Sequence, residues 1–338
     1  MKVAANLFET VGHTPLLRLS RVTSGLQAQV LGKLEFFSPS GSLKDRILYW
    51  MIEKAEKRGD LKPGMTIIEA TTGNTGIATS MAAAVKGYKC IIVMPAGMSE
   101  ERKKIIRAYG AELVETPGGE SDVDLTLAKV KEILSRNAGR MWEVRQFANP
   151  DNAEAHYLTT GPEIWDATGG KVDAFVATQG TGGTISGAGR FLKEKNKKIK
   201  LYAVEPKECP VLSEGKWGSH KIEGIGDGFV PDLLDVDILD GIVTVASDDA
   251  VVMAQRLARE EGLFCGISSG CNVLASIRVA CAHPEYKTVV TMINDSGQRY
   301  FSTELCGEEP GEWLEASRDR HVEVDVSRLK GKHYEIVT

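Results

Sequence analysis

The chain has 338 residues, of which 42% are hydrophobic and 26% charged, and its formal net charge is −5. These values are typical of a globular protein with a sizeable core, and they leave no positive field that would attract nucleic acid or an anionic membrane. Because no apolar run approaches the ~20 residues of a membrane span and no signal peptide is evident, we expect a cytoplasmic protein without nucleic-acid or membrane partners.

The cysteines and histidines follow none of the spacings that mark metal or disulfide sites. The six cysteines form no CxxC pair, and the six histidines show no HExxH or other ligand spacing. A chain of this length also has no need of disulfide bonds to hold a small core together. We therefore expect reduced, mostly buried thiols and no metal ion.

Short hydrophobic runs of strand type alternate with helical patterns along the chain. Up to residue 151 they predict strand 29–36, helix 43–59, strand 65–70, helix 74–86, strand 89–95, helix 99–110, strand 111–118 and helix 122–139. Beyond it they predict helix 153–167, strand 172–178, helix 183–195, strand 200–206, an irregular loop at 207–236, helices at 247–261 and about 269–281, and strands 287–295 and 321–326. This alternation is typical of an α/β fold with parallel sheets, here in two lobes with a cleft.

Three glycine-rich segments carry most of the chemical information. They are SPSGSLKDR at 38–46, TTGNTG at 71–76 and TQGTGGT at 178–184, and the last two lie between a predicted strand and a predicted helix. Backbone N–H groups converge at such turns and can bind an anion. TQGTGGT lacks the lysine of a nucleotide-binding P-loop, so a nucleoside triphosphate is not its natural ligand. Taken alone, it could also be only a tight turn between strand and helix.

TTGNTG offers amide and hydroxyl groups at the start of a helix. Asn74 has a short amide that can hydrogen-bond a polar ring substituent, and Thr71, Thr72 and Thr75 place hydroxyls beside backbone N–H groups. Such a set can bind a carboxylate. The structural alternative is an ordinary N-cap, in which these side chains satisfy the first helical turn.

Lys44 stands at the entry to a predicted helix, where the helix dipole disfavours a positive charge. In a closed site such a lysine would have a lowered pKa, and its amine could attack an aldehyde. Most lysines are simply solvated surface charges, but few stand beside an amide and a phosphate cup. Together the three features suggest pyridoxal phosphate as cofactor.

The chain resembles the cysteine synthase and cystathionine β-synthase family of pyridoxal-phosphate enzymes. The resemblance covers about 300 residues in the family's order, and an ordered set of this kind is far more specific than any single motif. The matching stretches are VGHTPLLRL (11–19), SGSLKDR (40–46), TTGNTGIA (71–78), MPAGMSEERKKIIRAYGAELVETPG (94–118), GTGGT (180–184), EGIGDGFVP (223–231), GISSG (266–270) and NDSGQRY (294–300).

This resemblance implies the fold of the tryptophan synthase β-subunit, with two lobes that each contain a twisted, mostly parallel sheet flanked by helices. The cofactor would lie in the cleft between them. It further implies a smaller mobile domain at 47–151 and a larger domain formed by 1–46 and 152–306. Residues 307–338 would be a C-terminal extension, for which we suggest a strand at a dimer edge, since the family is usually homodimeric.

The resemblance also implies a role for each site residue. Lys44 would hold the cofactor covalently and move the α-proton of the substrate. Ser268 would face the pyridine nitrogen, although the adjacent Ser269 is an alternative. Asn74 would hydrogen-bond the ring 3′ oxygen, and Gly224 would line the substrate amine side. The cofactor phosphate would be bound by Gly180, Thr181, Gly182, Gly183 and Thr184. The substrate carboxylate would be bound by Thr71, Thr72, Asn74, Thr75 and Gln146.

The activity implied by the resemblance is β-replacement, in which L-cysteine forms from an activated serine and sulfide through an aminoacrylate. O-acetylserine is the favoured activated serine. A serine at the ring nitrogen supports this, because a hydroxyl leaves the ring neutral and favours expulsion of a β-substituent over transamination.

Two residues depart from the family pattern and leave alternatives open. Asp227 stands where O-acetylserine enzymes usually have a small neutral residue, and Thr72 stands where serine is commoner. A carboxylate at Asp227 could activate water or a hydroxyl, as in a cysteine lyase or a serine-using cystathionine β-synthase type enzyme, or it could merely cap the loop. An inactive homologue that binds partners through the cleft is a second alternative, against which the retained Lys44 argues.

Overall fold

The computed structural model describes residues 3–307 and 322–338, which contain helices and strands in regular alternation. The strands are β1 (Leu16–Leu19), β2 (Gln29–Leu34), β3 (Thr66–Ala70), β4 (Lys89–Pro95), β5 (Glu112–Thr116), β6 (Met141–Glu143), β7 (Ala174–Thr178), β8 (Lys200–Pro206), β9 (Gly241–Val245), β10 (Thr288–Ile293) and β11 (Glu335–Val337). The α-helices are α1 (Lys44–Arg58), α2 (Asn74–Lys86), α3 (Glu100–Ala108), α4 (Val123–Arg136), α5 (Pro150–Ala155), α6 (Gly161–Thr168), α7 (Gly183–Lys195), α8 (Val211–Glu214), α9 (Ser247–Arg256) and α10 (Ile267–Ala282).

The strands form two sheets within the described residues. The larger has the order β1-β2-β10-β7-β8-β9-β11 and the smaller the order β5-β4-β3-β6. All neighbouring strands are parallel except β1 and β2. We call the smaller sheet with α2, α3 and α4 the small lobe, and the larger sheet with its helices the large lobe. The expected α/β fold with two mostly parallel sheets is confirmed.

Helix α1 joins the two lobes. Its first residue, Lys44, lies at the cleft, whereas Ile47, Leu48 and Met51 are fully buried in the apolar core of the small lobe beside Ile67 of β3. Each such side chain contributes about 1.5–3 kcal/mol through burial. The small-lobe core therefore holds the helix that carries the lysine, which fixes where the lysine stands. The domain boundaries near residues 46 and 151 stay predictions.

The carboxyl ends of the parallel strands meet at the cleft. β3 ends before Thr71, β7 ends before Gln179 and β10 ends before Asn294. Ligands of open α/β sheets bind at this edge, because loops and helix N-termini converge there. The fold thus brings the three glycine-rich segments to one place.

Most predicted elements are confirmed. The predicted strand at 321–326 is wrong for residues 322–326, which are the part of it that the structure describes. His321 lies outside the described residues, and residues 322–326 form no strand. The sheet edge that an added strand could use is taken instead by β11, which pairs with β9. The sequence pattern also missed β1, β6 and β9.

The predicted helix at 153–167 is not one uniform helix. α5 passes through a π-helical segment, His156–Thr160, into α6. A second π-helical segment follows α9 at Leu257–Glu261. π-Helical turns of this kind often occur at functional sites. Among residues 3–307 and 322–338, no helix combines the length and the apolar character that crossing a membrane requires.

Candidate functional site

The three glycine-rich segments line two adjoining cavities in the cleft. The first, the clamp cavity, spans about 440 Å³ including space that is open to solvent. The second, the cup cavity, spans about 350 Å³ on the same measure and shares Lys44, Thr181 and Gly224 with the first. Of the predicted site residues all but Gly183 line one of them, namely Lys44, Thr71, Thr72, Asn74, Thr75, Gln146, Gly180, Thr181, Gly182, Thr184, Gly224, Asp227 and Ser268. The fold therefore assembles the residues that the sequence singled out, while their individual roles stay predictions.

Lys44 is the first residue of α1 and lies where the two cavities join. Burial lowers the pKa of its amine, and the carboxylates of Asp227, Asp295 and Glu120 act in the opposite direction. A buried amine with a lowered pKa has a larger neutral, nucleophilic fraction than an exposed one. The setting suits an amine that attacks an aldehyde.

The cup cavity is bounded by the loop between β7 and α7. Gly182 has φ 80°, and a Cβ there would meet Leu234 Cβ at 2.7 Å. A Cβ at Gly180 would meet the Gly224 carbonyl oxygen at 2.6 Å. Glycine is therefore required at both positions, and the bare backbone presents its N–H groups at the N-terminus of a 13-residue helix. Gly183 begins that helix and packs against Asn152.

His156 supports the cup from the π-helical segment, which the sequence pattern did not reveal. Its Nε2 lies 3.2 Å from Thr184 Oγ1, and its Nδ1 lies 2.9 Å from Thr160 Oγ1. Burial lowers the pKa of His156 well below its usual range, so the imidazole is neutral. A neutral ring between two hydroxyls orients the Thr184 hydroxyl without adding charge.

Asn74 is held by residues of the large lobe. Its Nδ2 donates to Asp295 Oδ2 at 2.7 Å, and Arg299 Nη1 donates to its Oδ1 at 2.7 Å. Tyr300 donates its hydroxyl to the same Asp295 oxygen at 2.7 Å. Asp295 and Arg299 belong to the NDSGQRY stretch, which signalled the family but not these contacts. The network fixes the amide plane at the mouth of the clamp cavity.

The threonine-rich turn has the features of a carboxylate site. Thr75 Oγ1 donates to Gln146 Oε1 at 2.5 Å, and Gln146 Nε2 donates to the Ala70 carbonyl at 3.0 Å. Thr71 Oγ1 accepts from the Gly73 N–H at 3.0 Å. The first N–H groups of α2 have no partner within the helix, so they are available to an anion.

The two serines of GISSG occupy different environments. Ser268 lines the clamp cavity, and its Oγ accepts from Asn294 Nδ2 at 3.1 Å. Ser269 is fully buried and its Oγ accepts from the Asn294 N–H at 2.9 Å. Only Ser268 is therefore placed to meet a ligand in this cavity.

Two buried carboxyl groups stand near Lys44. Asp227 lines the clamp cavity and is 5% exposed, and burial raises its pKa to about 7 against the opposing charge of Lys44. Glu120 lies behind Thr72, whose Oγ1 donates to Glu120 Oε1 at 2.7 Å. Burial and the nearby Asp227 raise the pKa of Glu120 to about 8. Nothing in the sequence pattern had marked Glu120.

The chemistry of this donor set fits pyridoxal phosphate. Lys44 could supply the amine for the aldehyde, Asn74 an amide for a ring oxygen and Ser268 a hydroxyl for the ring nitrogen, and the glycine cup could take a phosphate. Within the described residues, no group of three or more His, Cys, Asp or Glu side chains is arranged to hold a metal ion.

Comparison with known proteins agrees with the geometry. A family model described as pyridoxal-phosphate dependent enzyme matches residues 7–295. Cysteine synthase of Staphylococcus aureus (strain Mu50) is 47% identical over 305 residues, which cover 90% of this chain and 97% of that protein. The crystal structure of cysteine synthase from Entamoeba histolytica has a TM-score of 0.86 at 41% identity, and covers 95% of this chain and 97% of its own.

A third relative is described by a different activity. A hydrogen sulfide-producing enzyme from Fusobacterium nucleatum has a TM-score of 0.84 at 39% identity, covering 88% of this chain and 100% of its own. The site geometry, the family match and these long alignments lead to one conclusion: the chain belongs to the pyridoxal-phosphate dependent enzymes and shares the fold of the cysteine synthases.

Proposed function

We propose that the protein makes L-cysteine from an activated serine, with O-acetylserine favoured, and sulfide by β-replacement. The observation that carries the proposal is the shared cleft, in which the Lys44 amine lies between a phosphate cup and a carboxylate clamp. The cysteine synthases of Staphylococcus aureus and Entamoeba histolytica support the same reaction class.

When bound at Lys44, pyridoxal phosphate supplies an electron sink for the negative charge that develops at the substrate Cα. The protein's part is to place and move protons around that centre. The Lys44 amine, whose pKa burial lowers, accepts the Cα proton as a general base and later returns it. The N-terminus of α2, with Thr75 and Gln146, orients the substrate by its carboxylate.

The substrate is tested by supplying the loaded enzyme separately with O-acetylserine, O-phosphoserine and serine, each with sulfide. We expect cysteine to form faster from O-acetylserine than from serine, because acetate leaves without needing a proton whereas the serine hydroxyl needs one. O-phosphoserine tests the pocket, since phosphate also leaves without a proton but carries more charge. Cysteine is quantified by chromatography, with enzyme lacking the cofactor as the control. Failure of all three donors to yield cysteine would sink the proposal.

The reverse type of reaction, breakdown of cysteine to serine and sulfide by water, is a second candidate function. It is favoured by Asp227, a buried carboxyl on the wall of the same cavity as Lys44. Burial raises the pKa of Asp227, and the charge of Lys44 and a backbone hydrogen bond within its own residue lower it, so capping of the loop is not the only contact of the carboxyl. The Fusobacterium nucleatum relative, named as hydrogen sulfide-producing, supports this reading.

Asp227→Asn tests the second candidate. We expect the release of sulfide from cysteine to fall about 100-fold, the lower range for loss of a general acid or base. Synthesis from O-acetylserine should change far less, because acetate needs no proton. Both rates are measured on the same preparations, with Asp232→Asn, an exposed residue of the same loop, as control. A variant that affects both reactions alike, or neither, removes Asp227 from the mechanism.

We further propose a homodimer in the cytoplasm, with residues 47–151 moving as a unit over the larger domain. The free state of the described cysteines supports a reducing compartment. Asn74 of the small lobe donates to Asp295 of the large lobe at 2.7 Å, so movement of the small lobe would open the site.

A further inference from the structure

The C-terminal segment at 322–338 lies outside the stretch that the family model matches, residues 7–295, and the proposed reaction gives it no task. Its strand β11 extends the larger sheet by pairing with β9. Glu335 of β11 accepts from the Tyr202 hydroxyl at 2.9 Å, and its second carboxylate oxygen lies 2.9 Å from His283 Nε2. The end of the segment is therefore fixed to the large lobe.

Before β11, the segment packs on residues 231–236, which we call the support turn. Arg328 donates through Nη1 to the Pro231 carbonyl and through Nη2, at 2.5 Å, to the Leu234 carbonyl. The Pro231 carbonyl also accepts the Leu234 N–H at 3.1 Å. Tyr334 donates its hydroxyl to the Val236 carbonyl at 3.0 Å. One guanidinium thus bonds both carbonyl oxygens of the turn from outside.

The other side of the support turn borders the phosphate cup. Leu234 is 0% exposed and lies so close to Gly182 that a Cβ on this glycine would meet Leu234 Cβ at 2.7 Å and Leu234 Cα at 2.8 Å. The N–H of Asp235 donates to Ser186 Oγ at 2.9 Å, in the first turn of α7. Because protein interiors are close-packed, a shift of Leu234 is passed on to the backbone at Gly182.

We propose that Arg328 is a positioning residue for the cofactor phosphate and acts through the support turn. Its guanidinium holds Leu234 against Gly182, and this contact keeps the N–H groups of the cup in the arrangement that binds the phosphate. Arginine suits the task, because its planar donors can bond two carbonyl oxygens at once. The inference goes beyond the proposed reaction, since it concerns how firmly the cofactor is held, whichever substrate then reacts.

The test is Arg328→Ala, in which the support turn loses both donors. We expect the dissociation constant of pyridoxal phosphate to rise about 5- to 10-fold, as loss of one to two hydrogen bonds implies. It is measured by titrating the cofactor into apoprotein at a temperature where every variant is folded. Arg328→Lys keeps the charge but lacks the planar fork, so its affinity should lie between those of wild type and Arg328→Ala.

Two variants of the same segment serve as controls. Lys330→Ala removes an exposed positive charge two residues further on, and it should leave the affinity unchanged. Val337→Ala removes buried apolar surface from β11, beside Val243 of β9, and it should lower thermal stability without lowering the affinity. These controls separate positioning by Arg328 from a general effect of charge and from loosening of the whole segment.

Hydrogen exchange of the apoproteins, followed by mass spectrometry, gives a readout that needs neither cofactor nor turnover. In Arg328→Ala we expect faster exchange than in wild type at residues 231–236 and 180–184. Exchange at β3 in the small lobe should not change. Absence of cysteine synthesis by wild type would count against the proposed function alone, since neither readout depends on turnover.

A folded Arg328→Ala protein with wild-type affinity, in a series where Gly182→Ala binds more weakly, would overturn the inference. The same holds if Lys330→Ala or Val337→Ala loses as much affinity as Arg328→Ala. If Gly182→Ala also binds normally, the phosphate lies elsewhere and exchange at 180–184 decides: faster exchange supports positioning of the loop, and unchanged exchange overturns it. If Arg328→Ala does not fold, Arg328→Lys decides by the same measurements.

Discussion

Replacing Lys44 with alanine should abolish turnover together with the visible absorbance of the covalent link to the cofactor. The amine has two proposed tasks, anchoring the cofactor and carrying the Cα proton, and within residues 3–307 and 322–338 no other lysine lines either cavity. Loss of a positioned general base alone lowers a rate by about 10²–10⁴-fold, and loss of the anchor adds to this. We therefore expect activity at the background of the assay.

The measurement combines an absorbance spectrum after addition of pyridoxal phosphate with the rate of cysteine formation. Lys86→Ala is the matched control, because Lys86 ends α2 and bonds Glu53 and Glu56 away from the cleft. It should retain both spectrum and rate. Activity of Lys44→Ala within tenfold of wild type would refute the assignment of Lys44.

Gly182→Ala should weaken binding of the cofactor by at least ~10-fold. The left-handed backbone at φ 80° costs about 1–2 kcal/mol for a residue with a Cβ, and the added atom would overlap Leu234. The loop must shift to relieve this overlap, which moves its N–H groups away from the phosphate. A loss of 1.4 kcal/mol in binding corresponds to the tenfold change.

The dissociation constant is measured by titrating pyridoxal phosphate into each apoprotein at a temperature where all variants are folded. Gly87→Ala is the control, because Gly87 also has a positive φ, at 77°, but has open space around it at the end of α2. It should lose some thermal stability and keep its affinity. Equal affinity of Gly182→Ala and wild type would contradict a phosphate at this loop.

The features that the sequence could predict are those that depend only on residues adjacent along the chain. TQGTGGT lies between a strand and a helix within a dozen residues, so its turn and its helix N-terminus follow from neighbouring residues alone. For the same reason the sequence pattern predicted that α1 begins near Lys44. It also predicted the end of the helix at Gly59, whose backbone is left-handed. Which sheet α1 packs against depends on contacts distant in sequence.

What the sequence could not predict was set by contacts between residues that are distant along the chain. Glu120 meets Thr72 across 48 positions, and Asn74 meets Asp295 across 221. His156 reaches Thr184 only because a π-helical turn widens the helix there. β11 has three residues and is defined only by its pairing with β9.

The contact between Asn74 and Asp295 has a practical consequence for handling the protein. Asn74 belongs to the small lobe and its partners to the large lobe, so a cofactor that engages the Asn74 amide acts on one of the hydrogen bonds between the lobes. Two equilibria that share a group are reciprocally linked, and each shifts the other by the same factor. The fraction of cofactor that stays bound through dialysis therefore reports on the geometry between the lobes, and substitutions far from the cleft can change this fraction.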